Sequence, residues 1–320
     1  MNNGQTIIYS GGVGGAKLVL GMSHLLAPEK LTVVTNTGDD FDYYGLRICP
    51  DTDTSLYTLS GLSDQEKGWG RAEETWRFMQ AIKDLGGEDW FNLGDTDLAL
   101  HLIRTQSLAE GKTLTQVTQM LADTMGIHLT LLPMTNDRVA TKVMTKSGQL
   151  DFQHYFVRDQ CRPEVTGFSF QGLSEACVNP QLIRSLNSQP EAIIFAPSNP
   201  YVSIDPIIKL PELLPKMRQS DTPIVAVSPI VGGTAIKGPA AKMMFELGLD
   251  VSPLAIAEHY KNVIHGLVID EQDKKYATAI ESLGLAVQIA PTIMHDLSSR
   301  INLAQTCLDF AQELKGHIAS

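Results

Sequence analysis

Cysteine is scarce and scattered: Cys49, Cys161, Cys177 and Cys307 form no Cys-x-x-Cys pair and have no histidine partner at zinc-finger spacing. A disulfide framework and a structural zinc site are therefore not expected, and reduced, buried thiols fit a cytosolic protein. Long apolar runs are missing too. None approaches the ~20 residues that a membrane-crossing helix needs, so no membrane partner is expected. Positive charge is in short supply: 25 Lys and Arg stand against 36 Asp and Glu, a formal net charge of −11. Broad nucleic-acid binding relies on clustered Lys and Arg, so nucleic acid is not an expected partner either. Small anionic ligands stay open, since a few local donors and a metal suffice. The segment from Met1 to Gln5 lacks the basic n-region of a signal peptide, and the expected location is the cytoplasm.

What is present describes an ordinary globular chain: 320 residues, 43% hydrophobic and 19% charged. That length allows one large or two moderate domains. Thr6–Ser10 is an apolar strand, Gly11-Gly12-Val13-Gly14-Gly15 a tight turn, and Ala16 to Leu26 carries helical apolar spacing. Leu31–Thr35 is a β-branched, buried parallel strand. Together they predict a βαβ unit whose helix N-terminus suits an anion. The dinucleotide fingerprint fails because Lys17 stands where its third glycine belongs, and a P-loop fails because Ala16-Lys17-Leu18 offers no hydroxyl. Gly12 and Gly14 can still border a ligand, with Lys17 as a counter-charge. Close packing of the helix on the strand explains the same glycines equally well.

Directly after the second strand come Asn36-Thr37-Gly38-Asp39-Asp40 and then Pro50-Asp51-Thr52-Asp53-Thr54. Ligands of open α/β sheets bind outside the carboxyl ends of strands, so Asp39, Asp40, Asp51 and Asp53 are candidate ligands for a divalent metal beside a phosphate. Mg²⁺ suits such all-oxygen donors. Asp-Gly-rich loops also occur as plain solvated turns.

From Thr54 to about Gly126 the apolar spacing is helical, with helices expected over 71–85, 96–108 and 113–125 and Asp95 as N-cap of the second. His101 and Arg104 lie on one face of that helix. Trp69 and Trp90 sit in loops, as stacking surfaces or as staples of the insertion. Val139 to Val157 reads as a β-hairpin around Lys146-Ser147-Gly148-Gln149, and 161–190 as loops with a short helix near Pro180 to Leu186. Strand rhythm resumes at Ala192–Ala196, followed by Ser198 and Asn199, and at Ile224–Ser228, followed by Gly232 and Gly233. Lys237 and Pro239 then lead a helix, which predicts a second anion site at a helix N-terminus. Gly266–Asp270 and Ala286–Ala290 complete about six parallel strands. The expected fold is α/β, doubly wound and Rossmann-like. Residues 1–54 and 191–320 form its core, and 55–190 a mainly helical, substrate-covering insertion with a β-hairpin. No Ser-His-Asp or Cys-His nucleophile motif is evident.

Ser10–Lys17, Asn36–Asp40 continuing through Tyr44-Gly45-Leu46-Arg47-Ile48-Cys49-Pro50-Asp51-Thr52-Asp53-Thr54, Gly68-Trp69-Gly70, Trp90–Asp95 and Ser228–Gly233 together resemble the phospholactate transferase family of deazaflavin coenzyme F-420 biosynthesis. The resemblance implies an Mg²⁺-dependent enzyme that moves a phospho-acid group, phospholactyl, phosphoenolpyruvyl or phosphoglyceryl, from a guanosine diphospho-acid donor to the terminal hydroxyl of the deazaflavin Fo, releasing GMP. It implies metal held among Asp39, Asp40, Asp51 and Asp53, with Asp39 or Asp40 in the catalytic step. Gly12, Gly14, Lys17, Ser198, Asn199, Gly232, Gly233 and Lys237 would line the ligand, and the protein would be a homodimer. A regulatory protein of the same fold, binding a nucleotide-sugar or dinucleotide, is the alternative.

Overall fold

A computed structural model describes residues 4–318 apart from 65 and 220, so part of the N-terminal stretch read for a leader lies outside it. Seven strands form one sheet: β1 (Thr6–Ser10), β2 (Leu31–Thr35), β3 (Thr130–Pro133), β4 (Ala192–Phe195), β5 (Ile224–Val227), β6 (Gly266–Ile269) and β7 (Ala286–Ile289). Their spatial order is β7-β6-β5-β4-β1-β2-β3, and every pairing is parallel. That is doubly wound topology, with the order reversing between β1 and β4.

The period of two along each strand divides the core. Ile7 and Tyr9 of β1 and Val34 of β2 face one apolar cluster, while Ile8 and Val33 face the other. The second cluster lies under α1 (Gly12–Ser23), α2 (Pro50–Leu59) and α5 (Leu297–Ile318), through Leu18, Met22, Leu56, Leu303 and Cys307. Each such buried side chain contributes roughly 1.5–3 kcal/mol. A Cβ on Gly21 would fall 2.2 Å from the Arg300 carbonyl oxygen, so only glycine lets α1 and α5 approach this closely. All four cysteines are free thiols, and among the described residues no helix is long and apolar enough to cross a membrane.

The seventh strand lies inside the stretch expected to be insertion. Thr130–Pro133 pairs in parallel with β2, from Thr32↔Thr130 to Thr35↔Pro133, and forms the sheet's edge. The expected hairpin is Ala140–Thr145 with Gly148–Asp151, but a third strand, Val165–Gln171, joins it in a stretch read as loops. Residues His154–Arg158 form a helical turn instead of strand.

The helices within 55–190 include α3 (Arg77–Asp84), α4 (Asp95–Ala109) and Leu114–Thr124. Asp95 is the first residue of α4 rather than its cap. Its carboxylate accepts the Arg77 and Phe78 amides at 3.3 and 3.0 Å, and so caps α3.

Candidate active site

At the topological switch point the loop after β1 meets the loop after β4. Ser198 Oγ accepts the Gly11 amide at 3.0 Å and donates to the Gly11 carbonyl at 2.8 Å. α1 begins one residue later at Gly12, whose φ is +63°. Gly12 N–H donates to Asp51 Oδ1 at 2.7 Å, which joins the glycine turn to the start of α2. Gly11 and Gly14 are needed for space, since added Cβ atoms would lie 2.7 Å from Asp51 Oδ2 and 2.8 Å from the Pro197 carbonyl.

Asn36, at the end of β2, ties this arrangement to the acidic loop. Its amide donates to Asp51 Oδ2 at 2.9 Å, and its carbonyl accepts Gly38 N–H at 2.7 Å. Thr35 Oγ1 and Thr52 Oγ1, 2.8 Å apart, close the same seam. Opposite, Thr141 N–H donates to the Gly38 carbonyl at 2.7 Å, and a Cβ on Gly38 would fall 2.7 Å from Thr141 Oγ1. The three-stranded sheet is thereby pinned against the Asp39 loop.

The four candidate carboxylates lie near one another but differ in their partners. Asp40 pairs with Arg47 at 3.2 Å, both nearly buried. Asp53 is gripped by the fully buried Arg104 through both guanidinium nitrogens, and His101 Nδ1 lies 3.6 Å away. Asp39 and Asp51 form the remaining, buried pair. Burial first, and then the charge of Asp51, pushes the Asp39 carboxyl well above the usual range. Burial raises Asp51 to about 6, against the hydrogen bonds from Asn36 and Gly12. Asp40 also reaches about 6, because burial outweighs the pull of Arg47.

The pair differs from the other two carboxylates in having no arginine counter-charge. Asp39 Oδ1, like Asp40 Oδ1, is buried without a hydrogen-bond partner, and beside Asp51 a proton or cation relieves that arrangement. Mg²⁺ is commonly held by one or two carboxylates together with water and substrate phosphates. Among the described residues no group of three or more His, Cys, Asp and Glu could hold a metal. Asp40 and Asp53, also expected as ligands, are each paired with an arginine in this structure.

The remaining candidates spread around this centre. Lys17 Nζ donates to the Met294 carbonyl at 3.1 Å, and its pKa is lowered by burial and by the positive charges of Lys237 and Arg300. Lys237, in the 234–238 loop, and Arg300, on α5, thus lie close enough to Lys17 on α1 to disfavour its charge. Lys237 also donates to the Gly68 carbonyl at 3.0 Å. Gly232 and Gly233, both at positive φ, turn a small hairpin between Ile230–Val231 and Thr234–Ala235, and the next helix starts only at Ala240. The expected helix is present, with Pro239 as its N-cap, but Gly232 and Gly233 lie in the hairpin turn ahead of it, where Gly232 N–H donates to Asp273. Asn199 caps the turn Pro200–Ile204. Trp90 packs among Phe41, Tyr43, Phe91 and His154 as a staple of the cap, whereas Trp69 is about half exposed.

Several site residues were not singled out from sequence. Asn36 stood within the acidic block but took no role there, and the Asx turn implicit in Asn-x-Gly is the signal that marks it. Thr141 and Arg47 carry no local signal, because only the fold brings them to the site.

The family profile described as 2-phospho-L-lactate transferase CofD matches residues 6–303. Among similar proteins, a phosphoenolpyruvate transferase of Kitasatospora aureofaciens is 36% identical over 97% of this chain and 99% of its own. A 2-phospho-L-lactate transferase of Methanosarcina mazei is 38% identical over 93% of this chain and 98% of its own. A solved structure of a UPF0052-family protein from Bacillus halodurans superposes with a TM-score of 0.62 at 12% identity, covering 95% of this chain and 99% of that one, and shares the fold. Matched from its first strand into its last helix, the chain belongs to the 2-phospho-L-lactate transferase (CofD) family.

Proposed function

We propose that this protein transfers a phospho-acid group from a guanosine diphospho-acid to the terminal hydroxyl of the deazaflavin Fo. The observation that carries the reading is the buried Asp39–Asp51 pair beside the N-terminus of α1, at the switch point of the sheet. The Fo hydroxyl oxygen attacks the phosphorus next to the acid, the bond from that phosphorus to the GMP oxygen breaks, and a phosphodiester forms. A carboxylate oxygen of Asp39 not engaged by the metal takes the hydroxyl proton. Asp51 is kept ionised by the Gly12 and Asn36 donors. That division follows the rule that two carboxylates driven to different proton affinities take different roles.

Mg²⁺, held by Asp39 and Asp51 when bound, would neutralise phosphoryl oxygens. The first turn of α1 offers amides to the same charge, and Lys17 and Lys237 hold the guanosine-side phosphate. The deazaflavin ring would lie along the insertion, where Trp69 is an exposed aromatic. The two relatives' names differ in the acid moved, and their identities of 36% and 38% do not choose between them.

Replacing Asp39 by Asn tests the assignment. Turnover followed by liquid chromatography and mass spectrometry falls by about 10²–10⁴-fold while the circular dichroism spectrum is kept. Near-normal turnover would remove Asp39 from the chemistry.

A further inference from the structure

Asp53 lies two residues after Asp51 on α2, and on a helix that spacing turns the two side chains to opposite sides. Asp51 reaches Gly12 N–H, while Asp53 points into the cap. There its oxygens are fully engaged. Arg104 grips both of them, one at 3.1 Å, and Oδ2 also accepts the Cys49 amide at 3.3 Å, which caps the start of α2.

Arg104 is itself 1% exposed and donates further to the Arg47 carbonyl at 3.2 Å. His101 extends the chain: Nδ1 accepts from Arg104 at 3.2 Å, and Nε2 lies 3.1 Å from Asp97. Tyr57, also on α2, donates to Asp97. Two side chains of α2 are thus locked to three of α4, below the surface.

We infer that Asp53 is a positioning residue for Asp51, held by Arg104 and His101, and not a ligand of the metal. Turning Asp53 toward an ion would leave a buried guanidinium without its counter-charge and uncap α2. The inference rests on the proposed metal role of Asp39 and Asp51.

The test uses the full-length protein and Mn²⁺ alone, with binding followed by electron paramagnetic resonance. If Asp53 positions Asp51 through Arg104, Arg104→Met weakens Mn²⁺ binding about 10-fold or more, as Asp53→Asn does, because supporting partners of a metal ligand carry that much affinity. The double variant is then no weaker than either single one. If Asp53 were a ligand, Arg104→Met would free it and Mn²⁺ would bind as tightly as before or more tightly, while Asp53→Asn would lose binding. That result overturns the inference.

A second readout needs no metal. The fall in melting temperature of the double variant is smaller than the sum of the two single falls, and additive falls would contradict coupling between the two residues. Arg104→Lys, which keeps the charge without the fork, stands in where Arg104→Met does not fold, and it weakens Mn²⁺ binding in the same direction. Wild-type protein that takes up no Mn²⁺ would defeat the metal reading of Asp39 and Asp51. The melting-temperature coupling would still decide whether Asp53 and Arg104 act as one unit.

Discussion

Asp51 is subject to two opposed demands. Burial disfavours its charge, while Gly12 and Asn36 donate hydrogen bonds that favour it, and its pKa settles at about 6. That value lies above the ordinary ~3.9 of an unfolded aspartate, so the folded chain binds this proton more tightly than the unfolded one. The contribution is therefore a penalty, fully present above about pH 6 and relieved as pH falls toward 4; the gap corresponds to roughly 3 kcal/mol. Without divalent cation, the urea midpoint should rise as pH is lowered from neutrality to about 5, and this rise should shrink in Asp51→Asn. An unchanged slope in the variant would show that Asp51 is not the buried acid described.

At the scale of elements, close approach governs the site. Gly11 has φ −148°, which any residue adopts, so its need for glycine is spatial: a Cβ would lie 2.6 Å from Ser203 Cβ and 2.7 Å from Asp51 Oδ2. Gly11→Ala should cost about 1–3 kcal/mol by denaturant titration and lower turnover by displacing Asp51. Gly167→Ala, where a Cβ meets nothing within 4 Å, is the control and should leave both nearly unchanged. Asp95→Ala should cost about 1 kcal/mol by removing the cap of α3, without loss of turnover.

The same scale explains what could be read from the chain. β1, β2, β4, β5 and β6 are short, mostly apolar, buried runs bounded by turn residues, as central parallel strands are, and β7, Ala-Val-Gln-Ile, is a partly exposed edge strand. β3 has only Thr-Leu-Leu-Pro, too short to distinguish from the end of a helix. Val165–Gln171 includes Gly167 and Ser169 and alternates weakly, so it resembles a loop. The acidic residues were legible as a cluster in sequence but not as pairs in space. Neighbours such as Asp39 and Asp40 point apart, and residues two apart on a helix lie roughly 200° apart around its axis. Which arginine meets which carboxylate depends on α4 reaching back to α2, and no local pattern records that.

Over the whole molecule, the sheet order places the first and fourth strands side by side, and with them the glycine turn and Ser198. The acidic loop after β2 and the start of α2 close on that crevice, and the three-stranded sheet braces the loop from the other side. The residues to which the proposed transfer assigns roles, Asp39, Asp51 and the start of α1, meet at the carboxyl ends of the central strands. The most direct measurement is mass spectrometry of purified protein with Mg²⁺, Fo and, in parallel, guanosine diphospho-lactate, the phosphoenolpyruvyl analogue and the phosphoglyceryl analogue. The account predicts a phosphodiester of Fo and an equal amount of GMP with at least one donor. No product with any of the three, from folded protein that binds a nucleotide-sugar or dinucleotide, would contradict it and favour a regulatory role.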